Sequence, residues 1–182
     1  MDETGFHFIG SLVPTQHADL LAIPRRRFGR LAGERLQDCL AYRTRKVVFG
    51  QERTVLVTYN ENLLAGQLQG IDANLEKARA KLRELQQSLR RWQQDRVKGG
   101  RKPTVEGVRN QVERVLSAQF MKKIIEYEIG TGRIPELSFR TNTQAYGQLV
   151  RTQLGKTILF TDLPECTDEE IVLGYRAQSN IE

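Results

Sequence analysis

Apolar and polar positions alternate with different periods in different parts of the chain. "GFHFIGSL" at 5–12 alternates and is rich in Phe and Ile, which predicts a short buried strand. "TQHADLLAI" predicts one or two helical turns, stopped by Pro24. "RRRFGRLAGE" follows as a basic, Gly-bearing loop. "CLAYRTRKVV" and "RTVLVTYN" predict two strands rich in Val and Tyr, and the "FGQE" spacer between them predicts a hairpin. The period then lengthens. Leu64, Leu68, Ile71, Leu75, Ala78, Leu82, Leu85, Leu89 and Trp92 are spaced alternately four and three apart, an unbroken heptad seam. At 1.5 Å per residue it runs for about 43 Å.

"KGGRKP" is expected to end this helix, because two glycines free the backbone and Pro103 cannot continue it. Thr104 can cap a second helix with apolar residues Val105, Val108, Val112, Val115, Leu116 and Phe120. Two helices joined by a short Gly-Pro loop predict an antiparallel hairpin. An intermolecular zipper is the alternative. Its flanking positions, Gln67, Asn74, Lys81 and Ser88 on one side and Ala65, Asp72, Arg79 and Gln86 on the other, offer few opposite charges to set a partner. Beyond the hairpin, "IIEYEI" and "LSFRT" predict strands, "TQAYGQLV" a short helix and "TILFTD" a further strand. Thr167 and Glu170 form a capping box that opens a last helix, with acids in its first turn. Strands, a helix pair inserted among strands, and a closing helix make an α+β fold.

Composition adds charge to this picture. Over 182 residues the net charge is +6. Residues 77–102 hold ten Lys or Arg against Glu84 and Asp95, a net of +8, so the rest of the chain is slightly acidic. A run of one sign entering a hairpin tip suits contact with a polyanion. Cations placed along phosphates gain from counterion release, and without a base-reading motif the contact would be to the backbone. Arg90, Arg91, Arg96, Lys98, Arg101 and Lys102 are the candidate DNA-binding residues. No apolar run approaches the roughly 20 residues that cross a bilayer, so no membrane partner is expected. The two cysteines, Cys39 and Cys166, are far apart and read as reduced thiols of a cytoplasmic protein.

Several motifs carry less than they suggest. "LGKT" at 154–157 lacks the phosphate loop's first glycine, which four intervening residues separate from the Gly-Lys-Thr; the nearest upstream glycine is Gly147, and the segment precedes a strand. His7 and His17 have no metal-ligand spacing around them. Trp92 closes the heptad seam and reads as packing. Tyr175, Gln178 and Glu182 are sharper, because i, i+3 and i+7 put them on one helix face.

"EEIVLGYRAQSNIE" resembles the C-terminal signature of insertion-sequence transposases of the DDE class, which reads Tyr, two residues, Arg, three residues, Glu, six residues, Lys. Tyr175 and Glu182 match in type and spacing. Gln178 stands at the Arg position, and either it or Arg176 replaces the signature Arg; the Lys position lies past residue 182. "TGFHFIGSLVPTQHADLLAIP", "RTVLVTYNENL" and "LGKTILFTD" resemble stretches of the same family between its second catalytic Asp and its Glu.

The resemblance implies an RNase H-like catalytic domain in which three carboxylates hold Mg²⁺ for DNA strand cleavage and transfer. It implies transposon-end DNA as the partner and leaves a homo-oligomer open. Glu182 would be the third carboxylate and metal ligand, with Tyr175, Gln178 and Arg176 on its signature helix, and both aspartates would lie upstream. Asp162 is not assigned a catalytic role. The expected organisation is a C-terminal fragment. Residues 1–12 would be the last core strand and 13–165 an insertion subdomain, with strands at 39–59, a helical hairpin at 61–121 and strands at 124–162. Residues 166–182 would begin the Glu-bearing helix, truncated. Such a piece, with one carboxylate of three, is expected to be inactive alone. The apolar faces of its first strand and last helix would lack a sheet, and proteolytic protection would be highest at about 63–120. The alternative is a stand-alone nucleic-acid-binding or assembly protein built around the basic hairpin.

Overall fold

A computed structural model describes residues 7–178. The fold is mixed α and β, as the pattern predicts, and falls into two compact units: 1–67 with 151–182, and 68–150. Both boundaries, at 67/68 and 150/151, lie within the expected insertion subdomain of 13–165. The chain leaves the first unit along one helix and returns along another.

In the first unit, β1 (Ile9–Leu12), β2 (Gly29–Arg30), β3 (Cys39–Val48), β4 (Gln51–Asn60) and β7 (Lys156–Thr161) form one sheet in the order β1-β7-β4-β3-β2. Every described pairing is antiparallel. The predicted hairpin is β3–β4, turning at Phe49 and Gly50 with φ of 52° and 78°. Two positive φ values make the primed kind of turn whose twist suits antiparallel strands.

Both faces of the sheet are covered. On one face Val55, Val57, Ile158 and Phe160 pack under Leu20 and Leu21 of α1 (Ala18–Leu21), with Ile23 and Phe28 alongside. On the other, Leu56 and Leu159 pack under Leu36 and under Ile171 and Val172 of α6 (Asp168–Gln178). This explains the unbroken run "VLV" in β4, where neighbouring residues face opposite cores. It also corrects the expectation that the first strand and last helix lack a sheet. β1 pairs with β7 from Ile9↔Thr161 to Leu12↔Ile158. Ile171 and Val172 are buried beneath the same sheet. The capping box forms as predicted: Thr167 N donates to Glu170 Oε2 at 2.8 Å, and Glu170 N donates to Thr167 Oγ1 at 3.2 Å.

β4 and β7 are sheet neighbours although the whole second unit lies between them in sequence. Asn60 N donates to Gly155 O at 2.8 Å, and Tyr59 stands opposite Lys156. Gly155 is required there twice over. Its φ is +72°, and a Cβ would lie 3.0 Å from both Tyr59 and Leu64 side-chain atoms.

The second unit contains most of α2 (Glu61–Gln93), α3 (Val105–Val115), α4 (Met121–Ile124), a ribbon of β5 (Ile125–Gly130) and β6 (Glu136–Thr141), and most of α5 (Thr143–Thr152). Every seam position of α2 is buried or half-buried, with Leu82 wholly enclosed. Flanking positions that an intermolecular zipper would use are engaged inside the unit: Gln86 Nε2 donates to Leu137 O and Tyr146 Oη to Asp72, each at 2.8 Å. Thr104 caps α3 as predicted, its Oγ1 accepting from Gly107 N at 3.1 Å. α3 stops at Val115, short of the expected Phe120, whose φ is +68°.

Candidate nucleic-acid interface

α2 ends before the glycines that were expected to end it. Asp95 takes φ of 52°, Arg96 N donates to Arg91 O at 3.0 Å, and Asp95 N donates to Trp92 O at 3.2 Å. That pair of bonds around a left-handed residue is a Schellman closure, which satisfies the last carbonyls. Arg90 and Arg91 occupy the final turn, where the carbonyl end of the helix dipole favours cations. The chain then loops through Gly99 and Gly100, with Gly100 beside the Trp92 ring, to Pro103. Trp92 is thus half-buried packing, as its seam position predicts.

The six predicted cations, Arg90, Arg91, Arg96, Lys98, Arg101 and Lys102, are all exposed. None of their side chains has a hydrogen-bond or ionic partner among the described residues. Asp95, the one acid among them, pairs instead with Arg133 at 3.3 Å. Charge divides sharply between the units. Residues 68–150 carry a net +7, and the remainder carries −1. Exposed cations with no acceptor among them suit phosphate oxygens, which accept hydrogen bonds and fix no base sequence.

The signature residues have structural occupations. Gln178 Nε2 donates to Ile9 O at 3.0 Å, tying the end of α6 to β1. Tyr175 is half-buried against the core of Leu56, Leu159 and Ile171. Arg176 Nη1 donates to Arg35 O at 3.2 Å. Tyr175 and Arg176 line a cavity of about 240 Å³ shared with Cys39, Thr58 and Thr157. Burial pushes the Cys39 thiol above its ordinary value, with Arg176 partly offsetting it. Both cysteines are free. Glu182 lies outside the described residues.

The resemblance implies Mg²⁺ held by three carboxylates, of which Glu182 is the one it assigns to this chain. Among the described residues no three His, Cys, Asp or Glu gather as metal ligands. Asp162 accepts from Phe8 N at 3.0 Å, and His7 Nδ1 lies 3.3 Å from its other oxygen. Burial works against its ionisation, but these two partners outweigh it and hold the carboxyl below its usual range. This is a brace between β1 and the end of β7. Lys156 of "LGKT" is buried, and its ammonium donates to Leu21 O and, at 3.1 Å, to Ile23 O. It closes the end of α1 and faces no open phosphate site. Among the described residues, no helix is long and apolar enough to cross a membrane.

No protein-family model matches the chain, and neither a curated protein nor a solved structure does. Sequence reasoning missed the arginine–aromatic stacks of the first unit. Arg25 lies 4.1 Å over the Tyr59 ring and Arg27 4.7 Å over that of Tyr42. Their signal was present in "RRRFGR" and in the tyrosines of β3 and β4, but only the fold brings the two together.

Proposed function

We propose that the chain binds duplex DNA along its phosphate backbone through the basic segment at 90–102. One observation carries this: six exposed cations without described partners sit on a unit of net charge +7 while the rest of the chain is slightly acidic. A protein surface normally mixes both signs, and a one-sign cluster left unneutralised costs self-repulsion unless a polyanion relieves it.

The reading extends to family. The likeness of Tyr175, Arg176, Gln178 and Glu182 to a transposase signature supports an insertion-sequence transposase of the DDE class as the setting for that binding. The RNase H-like domain and Mg²⁺-dependent strand transfer rest on that likeness alone, and the described residues supply no metal cluster from which to derive a cleavage step. A second reading is a nucleic-acid-binding protein whose role does not include strand cleavage. It is favoured by β1 and α6, which are packed into this chain's own sheet.

The test is duplex binding across a salt series. Log affinity should fall linearly with log salt, and Arg90→Glu, Arg91→Glu, Arg101→Glu and Lys102→Glu together should reduce the slope by about 3 to 4, near 0.9 per lost phosphate contact. Sequence-scrambled duplexes should bind alike. Unchanged affinity and slope in the fourfold variant would remove the DNA role from this segment.

A further inference from the structure

We propose a second phosphate-binding surface in the first unit, formed by Arg26, Arg27 and Arg30 and directed at the same class of partner, the backbone of duplex DNA. Four arginines and no acid fall within residues 25–30. The segment comprises a single 3-10 turn (Arg25–Arg27) followed by the edge strand β2. It is held from beneath by three cation–aromatic contacts. Arg25 lies over Tyr59, Arg27 lies over Tyr42, and the Lys156 ammonium is 5.7 Å from the Phe28 ring centroid. Arg27 Nη2 also donates to Tyr42 Oη at 2.8 Å. Phe28 and Tyr42 stack at a tilt with ring centroids 6.1 Å apart.

Neutralisation around this segment is selective. Arg25 pairs with Glu61, Arg43 with Asp168, Arg45 with Glu52 and Lys46 with Asp19. Arg26 and Arg30 are exposed and have no side-chain partner among the described residues. Arg27 has only its tyrosine. The Arg27 guanidinium, over the Tyr42 ring and bonded to its hydroxyl, is held in one orientation and keeps further N–H donors for an acceptor. Pre-organisation of this kind lowers the side-chain entropy lost on binding. Arg26 and Arg30 lie four residues apart, so their Cα atoms are separated by no more than about 14 Å. Within that length of helix axis one strand presents at most about four charges, at 3.4 Å of axis each.

The surface, which rests on the proposed DNA partner, shares no residue with the segment at 90–102, and the experiment treats the two independently. Duplex binding is measured across a salt series for the full chain, for Arg26→Glu with Arg30→Glu, for the fourfold variant at 90–102, and for Arg26→Lys with Arg30→Lys. Thermal melting checks that each folds. The Arg26/Arg30 reversal should lower the salt slope by about 2 and weaken binding by a factor of roughly 60 at 0.1 M salt, while the lysine pair keeps the slope. If the reversed pair binds like the parent protein, the surface is not used and the proposal is overturned, whatever the other variant does. If the reversed pair weakens binding while the variant at 90–102 does not, this surface stands and the earlier one falls. A parent protein with no affinity for duplex overturns both.

Discussion

Phe49 is a bulky residue in a left-handed backbone conformation. It occupies the first central position of the β3–β4 turn with φ of 52°, the residue is 79% exposed, and its ring centroid is 5.7 Å from that of Phe160. A left-handed conformation costs a bulky L-residue roughly 1 kcal/mol, whereas Asn adopts it readily before Gly. Phe49→Asn is therefore expected to raise the stability of the first unit by about 1 kcal/mol, less whatever the Phe160 contact contributes. Urea unfolding would read it as a higher midpoint at constant slope, and a lower midpoint would show that the ring contact outweighs the turn. The turn itself was legible as "FGQE", but the strain at Phe49 was not, because nothing in the spacing says which residue takes the positive φ. Asp95 repeats the lesson. A capping aspartate ends α2 ahead of the two glycines, and glycine frequency alone pointed a few residues too far.

Helices and strands were the most legible level, because each is written in its own period. The seam from Leu64 to Trp92, the capping box of α6 and the alternation of β5 and β6 all became elements at the expected places. Caps at strand ends were less so: Asn60 ends β4 and also accepts from Leu63 N at 2.8 Å, opening α2. The capping box makes α6 acid-sensitive. The Thr167 N–H, and then its hydroxyl, hold the Glu170 carboxyl below its ordinary value of 4.5. A depressed carboxylate contributes stability that is present above its unfolded value and is lost as pH falls through the folded one. Protection factors at the start of α6, taken against the intrinsic exchange rate at each pH, should accordingly fall below about pH 4.5, and Glu170→Gln should remove much of that acid dependence. Equal acid sensitivity in the variant would place the cause elsewhere.

For the molecule as a whole, pairing between distant strands was the illegible part. Nothing local to "GFHFIGSL" or "TILFTD" announces that they are neighbours, or that "RTVLVTYN" lies on the other side of the second. The basic segment was readable as charge, while the selective neutralisation that leaves Arg26 and Arg30 free needed the fold. With the pairings known, protection is expected to be highest in the sheet and lower along the helical seam. Val55, Leu56 and Val57 have no exposed surface and lie between two bonded strands. Their amides should exchange most slowly, near the global opening free energy, and β1 and β2 at the edges earlier. Slower exchange along residues 64–92 than in β4 would contradict that ranking.

The closeness of Asn60 to Gly155 has an architectural consequence. The strand that departs and the strand that comes back share one doorway, so everything strung between them is a detour. A two-residue bridge across the doorway would turn β4 and β7 into an ordinary hairpin and leave the strand order untouched. Another domain with neighbouring termini could be grafted at the same threshold, making the sheet a socket for foreign inserts.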